Sequence, residues 1–170
     1  MTAPEASGSQ LMLRRWSHAD LSALETILGD PQVMRHSMSG PLDTSGRALW
    51  LAQQMALSLT APLGSWAITR PSDKAVLGYI RLTRTEICAS RGDVELGIRL
   101  ARTAWGQGTA REAAGLLRSQ RSPACTRLLA VVDPENTRSV ALLRTLGLQF
   151  ERSIVLPGYD HPDHLYSGAF

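Results

Sequence analysis

Long apolar runs are absent from this chain of 170 residues, and no stretch approaches the ~20 that a membrane-spanning helix requires, so no membrane partner is expected. The opening MTAPEASGSQ has neither a basic cluster nor an apolar core, which argues against a secretory signal. Residues 1–9 read as a disordered leader, followed by a single domain over 10–170. Cysteine is scarce. Cys88 and Cys125 sit in or beside apolar stretches and read as buried thiols rather than a disulfide. Neither has histidine partners at ligand spacing, so no metal is expected, and a reduced, cytoplasmic protein is. Lysine is nearly missing as well: Lys74 is the only one among 18 basic residues, which 15 acidic residues balance to a net charge of +3. The arginines are scattered, with no basic stripe interleaved with aromatics, so a nucleic-acid partner is not expected.

What is present is an alternation of short periodic segments without repeats or a linker. QLMLRRW (10–16) reads as a strand, and SHADLSALETIL (17–28) as a helix capped by Ser17, with Leu21, Leu24 and Leu28 at helical spacing. A shorter helical piece over 32–36 and a convincing helix over 46–60 follow. Strands are expected at 65–70, 75–87 and 93–100, separated by the turn material PSDK and SRGD. In the third, Val94, Leu96, Ile98 and Leu100 alternate with Asp93, Glu95, Gly97 and Arg99. A helix over 109–119, a strand over 126–132, a helix over 136–146 and strands near 148–155 and 164–170 complete the order. That order predicts a mixed α/β fold, mainly antiparallel before residue 106, with a strand-loop-helix at its centre.

The loop in question is ARTAWGQGTAREA (101–113), where Gly106 and Gly108 stand one residue apart ahead of a helix. A P-loop would need a lysine after the second glycine, and Thr109 stands there. The dinucleotide fingerprint would need a third glycine where Arg111 is. Both nucleotide motifs are excluded. The N–H groups of Gln107, Gly108, Thr109 and Ala110 nevertheless belong to the unpaired donors of a helix start, where glycine allows close approach and the dipole favours an anion such as a pyrophosphate. A capped loop with no ligand is the plain alternative.

The neighbouring residues carry a family resemblance. ELGIRLARTAWGQGTAREA (95–113) resembles motif A of the GNAT N-acetyltransferases, in particular the branch that includes bacterial acetyltransferases of ribosomal-protein N-termini, with Trp105 in the first loop position and Gly108 and Ala110 in the small ones. NTRSVALLRTLGLQFE (136–151) is similar to that family's Asn-x-x-Ser/Ala motif and the turn that follows, and LMLRRWSHADLSAL to the branch's first strand and helix. The resemblance implies a central sheet of about seven strands, mostly antiparallel, with about four flanking helices. A splayed parallel pair forms a cleft for acetyl-CoA, the co-substrate.

By the same resemblance, the main chain of Ile98, Arg99 and Leu100 would bind the pantetheine, the amides 107–110 the pyrophosphate, and Asn136 the cofactor or its own loop. Gln107 replaces a lysine frequent in this branch, which leaves Arg102 or Arg111 to supply the charge. Attack by an amine needs a base, for which Glu95 is the candidate, and a group at the leaving sulfur, for which Ser139 is. The tyrosine many relatives carry as acid is Leu143 here; Tyr159, Tyr166 or water would substitute. Trp16, Trp50 and Trp66 read as core or acceptor-pocket lining, and His161 and His164 as surface residues. The expected activity is acetyl transfer to a primary amine, a small molecule or a peptide α-amine, by direct attack in a ternary complex. A non-catalytic acyl-CoA-binding regulatory module is the alternative. Dimers are common in the branch, so a homodimer is compatible with the resemblance.

Overall fold

The computed structural model describes residues 6–8, 10–57, 63–120 and 122–170. Among these, eight strands form one sheet in the order β1-β2-β3-β4-β5-β6-β8-β7. They are β1 (Ala6–Ser7), β2 (Met12–Arg14), β3 (Gly64–Thr69), β4 (Val76–Thr83), β5 (Asp93–Leu100), β6 (Arg127–Val132), β7 (Gln149–Ile154) and β8 (Asp163–Ala169). The α-helices are α1 (Glu25–Leu28), α2 (Pro31–Met34), α3 (Thr44–Leu57), α4 (Thr109–Ser119) and α5 (Thr137–Thr145). Every neighbouring pair of strands is antiparallel except β5 and β6.

Alternation along the strands divides the core between the two faces of the sheet. Ile80, Leu82, Val94, Leu96, Leu128 and Ala130 join Ala113, Ala114 and Leu117 of α4 and Leu143 of α5. Ala67 and Tyr79 face the other way, onto Leu24, Ile27, Leu28, Met34 and Leu51. Trp16 and Trp66 are buried, and the half-buried Trp50 packs between Trp16 and Tyr79 at ring distances of 5.4 and 4.8 Å. Trp16 and Trp66 are thus core residues.

Several expected elements change at their edges. Residues 1–5 and 9 of the expected leader lie outside the described residues, while Ala6 and Ser7 pair with Leu13 and Met12 as the eighth strand. The single helix expected over 17–28 is a 3-10 helix, His18–Leu24, running into α1. Its i,i+3 spacing stacks Leu21 over Leu24, and the Asp20 side chain takes the Ser17 N–H (2.8 Å) while also holding Arg14 (2.7 Å). Helix α3 begins two residues earlier than expected because Asp43 accepts the Gly46 N–H (2.7 Å) as a cap; the end expected at 58–60 lies outside the described residues. The strand expected over 75–87 stops at Thr83, since the chain turns where the Cys88 N–H returns to Thr85 O (3.0 Å). Both cysteines are free thiols; Cys125 is buried and Cys88 half-buried.

One residue departs from the alternation expected of β5. Asp93, placed on its polar side, is 1% exposed. Its carboxylate accepts from the Ala89 N–H (3.0 Å), the Ser90 N–H (3.1 Å) and the Ser90 hydroxyl (2.7 Å), with Arg127 of β6 at 3.5 Å. Arg127 also reaches Glu151 on β7. Burial alone would raise the Asp93 pKa; the donors from Ser90 and Ala89 and the Arg127 charge instead hold it below the ordinary carboxylate value. The native carboxylate therefore stabilises the fold above the unfolded carboxylate pKa, and that contribution disappears as pH falls through the native one. Asp93→Ala should lower the unfolding free energy by about 2–4 kcal/mol in a urea titration at neutral pH, with the difference from wild type shrinking on acidification.

Candidate active site

The cleft originates in the pairing of β5 with β6. Their parallel ladder covers only Asp93–Glu95 against Arg127–Leu129, after which the strands part. Glu95 is the last paired residue of β5, at the vertex of the splay. Its half-buried side chain lies on the same face as Gly97 and Arg99, and no hydrogen bond engages its carboxylate among the described residues.

Ladder geometry decides which main-chain groups open into the cleft. The Ala101 N–H donates to Leu77 O (2.8 Å), and in an antiparallel pair the bonded couples alternate with unbonded ones. With Tyr79 opposite Arg99 and Ile80 opposite Ile98, the Arg99 main chain bonds β4. Ile98 and Leu100 turn theirs toward β6. This corrects the expectation for Arg99: period-two geometry removes its main chain from the cleft. The Leu100 carbonyl is in turn taken by the Trp105 indole N–H (3.0 Å). The Ile98 N–H and C=O and the Leu100 N–H therefore remain along this lip.

Beyond β5 the chain turns through Gly106 and Gly108, at φ of +72° and +78°. Nothing lies within 4 Å of a Cβ built on either, so conformation rather than space requires glycine there. The first helical bond runs from the Glu112 N–H to Gly108 O (3.0 Å), and among the described residues no protein acceptor takes the N–H groups of residues 106–111. Gln107, Gly108, Thr109 and Ala110 thus point unpaired donors from the positive end of α4. The Gln107 side chain folds back onto Thr103 O (2.7 Å), which leaves its main chain as its contribution. Arg102 is committed to Asp30 (2.8 Å), whereas Arg111 is exposed in the first turn of α4. A further cation, not anticipated from the sequence, is Arg138 of α5, 4.6 Å above the Trp105 ring.

On the opposite lip, β6 leads into α5. Asn136 caps that helix, its side-chain oxygen accepting the Ser139 N–H (3.2 Å), and Ser139 is half-buried in the first turn. Leu143, where a tyrosine acid would stand, is in the core, as is Tyr166. Tyr159 is half-buried in the loop between β7 and β8, its pKa raised by burial and by Asp163 and Asp133. His161 is exposed as expected, but His164 is half-buried against Phe150, the ring centroids 4.8 Å apart. No group of three or more potential metal ligands occurs among the described residues, and no helix of theirs is long and apolar enough to cross a membrane.

A family model described as the acetyltransferase (GNAT) domain matches residues 10–149. The chain belongs to the GNAT acetyltransferase family. Among curated relatives, an N-acetyltransferase of Bacillus licheniformis, named p20 and uncharacterized, is 30% identical over 145 residues, covering 84% of this chain and 80% of that protein. A GNAT acetyltransferase from Bacillus anthracis shares the fold at a TM-score of 0.82 and 16% identity, over 98% of each chain. The Microcin C7 self immunity acetyltransferase, solved in complex with acetyl-CoA and AMP, superposes at a TM-score of 0.78 and 14% identity, over 96% of this chain and 94% of that one. The protein is thus an acyltransferase with the GNAT fold, a family that uses acetyl-CoA.

The glycine assignment has a sign that can be tested. Gly108→Ala, at positive φ, should destabilise by about 1–2 kcal/mol in thermal or urea unfolding. Gly115→Ala, in the exposed interior of the same helix with open space around it, should stabilise by about 0.5–1 kcal/mol.

Proposed function

We propose that the protein transfers the acetyl group of acetyl-CoA to a primary amine by direct attack in a ternary complex, with a peptide or protein α-amine as the preferred acceptor class. One observation carries the reading. An uncommitted carboxylate, Glu95, stands at the vertex of a splay whose far end is a set of unpaired amides. The amides of 107–110 suit a diphosphate, and the outward-facing main chain of Ile98 and Leu100 suits the amide-bearing arm between diphosphate and thioester, as an added strand would. Acetyl-CoA supplies an activated acyl thioester.

The chain's own residues then divide the work. Glu95 takes the proton that an ammonium must lose to become a nucleophile, directly or through water. The Ile98 N–H holds the carbonyl oxygen as charge develops there. The Ser139 hydroxyl hydrogen-bonds the departing sulfur, and Asn136 keeps Ser139 in place by capping its helix. Tyr159 is the tyrosine available as proton donor, since Tyr166 is buried in the core. An α-amine, with its ordinary pKa near ~8, asks less of the base than an alkylamine. The preference for a peptide acceptor rests on the branch resemblance of residues 95–113.

Calorimetry should detect coenzyme A binding, and thiol release with an amine panel should detect turnover. Glu95→Gln should lower kcat by about 10²–10⁴-fold while coenzyme A affinity stays within about twofold. Coenzyme A binding without acetylation of any amine would overturn the amine-acceptor reading.

A further inference from the structure

On the face of the sheet that carries Glu95, β5 lacks a side chain at Gly97, and a cation lies in the gap. A Cβ built on Gly97 would stand 2.7 Å from Arg81 Nε and 3.0 Å from Arg81 Cγ, and its three nearest heavy atoms all belong to Arg81. Arg81 of β4 is the ladder partner of Gly97, so its side chain crosses β5 where the missing one would be. Gly97 is not among the glycines at positive φ. Its lack of a side chain therefore provides room for Arg81 rather than a special backbone conformation.

Arg81 is half-buried, and among the described residues it has no hydrogen-bond or ion-pair partner. Arg14, Arg102 and Arg127, by contrast, are each paired with a carboxylate. Glu95 stands diagonally from Arg81 on the same face without forming an ion pair with it. Arg99, two residues beyond Gly97, adds a second cation to this face. Its charge is directed to the far lip: burial, Asp163 and Asp133 raise the Tyr159 pKa, and Arg99 opposes them. Arg81 is the cation left over. A guanidinium presents five donors in a planar fork that matches a carboxylate, and here that capacity is unused in a partly dry site.

Position decides which anion that is. The diphosphate of the cofactor has its own donors at residues 107–110, and the stretch from Gly97 to Leu100 alone puts about 10 Å of strand between them and Arg81. Glu95 is much nearer, about 7 Å from Gly97 along β5. An amine engaged by Glu95 therefore has the Arg81 side chain within the span that separates a peptide α-amine from a side chain of its first or second residue. We infer that Arg81 is a specificity residue of the acceptor site, docking a carboxylate carried in the first two residues of the peptide whose α-amine Glu95 deprotonates. Gly97 is the opening that lets it lie there. The inference rests on the proposed function, with Glu95 as base and a peptide α-amine as acceptor, and it names the acceptor class as peptides with an acidic side chain at the amino end.

The test compares the tripeptide amides Ser-Asp-Ala and Ser-Asn-Ala, which differ by one charge, in the thiol-release assay. Wild type should show a KM about tenfold lower for the aspartyl peptide, as one charge-assisted pair supplies. Arg81→Gln should bring the two KM values together while kcat for the asparaginyl peptide holds. Gly97→Ala, which keeps the charge but displaces the side chain, should narrow the ratio as well; an unchanged ratio there would overturn the part assigned to Gly97. Equal KM values in wild type, or a loss in Arg81→Gln that falls equally on both peptides, would overturn the inference and leave the acetyltransferase reading in place. Should the variants unfold, wild type suffices: titration of the coenzyme A complex with the aspartyl peptide should move the Arg81 Nε–H resonance, and the asparaginyl peptide should not. Equal movement with both, or none with either, would refute a carboxylate subsite. The titration reads Arg81 even if no amine is acetylated, so the two readings fail separately.

Discussion

A parallel ladder only three residues long, Asp93–Glu95 against Arg127–Leu129, is the constraint on which the rest of the structure depends. Two strands that stayed paired would satisfy their main chains against one another and leave nothing to bind with. By parting after Glu95, they free the outward main chain of Ile98 and Leu100 while β4 still anchors the other edge of β5. Asp93 and Arg127 hold the closed end: a buried carboxylate satisfied by Ala89 and Ser90, facing a guanidinium that also reaches Glu151. Packing on one face then keeps the lips apart, with α4 on the β5 side and α5 following β6.

The cleft so formed is positive at one end. At the end of β5, the turn through Gly106 and Gly108 exposes unpaired amides at the positive pole of α4, with Arg111 in its first turn and Arg138 above Trp105. Beyond the end of β6, on the Glu95 face, Asp133 and Asp160 share a cavity wall with Arg35 and two histidines. An anion is favoured at the first of these places.

Much of this was legible in the residues. Strand β5 and helix α4 occupy the residues expected, because strict alternation from Asp93 to Leu100 and a glycine pair at a helix start are local signals with one local solution. The misreadings were local contests decided elsewhere. His18–Leu24 has apolar spacing that suits either a 3-10 or an α-helix, and Asp20, tied to Ser17 and Arg14, accompanies the tighter winding. Asp93 looked like a polar-face residue because alternation cannot register that a turn folds back to bury and satisfy it. Arg99 looked like a cleft residue because sequence does not reveal which couples of a ladder exchange hydrogen bonds.

From the sequence by itself came the family, the order of elements, the glycine turn and the candidates Glu95, Asn136 and Ser139, since each depends on residue types a few positions apart. Tertiary structure alone decided where β5 and β6 part, which amides face the opening, and that His36 and Asp133 line one cavity. His36 and Asp133 are 97 residues apart, and no periodicity connects them. The reason is physical: backbone hydrogen bonding repeats over two to four residues and leaves its pattern in the sequence, whereas a side-chain cluster forms only where the path of the whole chain brings distant turns to one point.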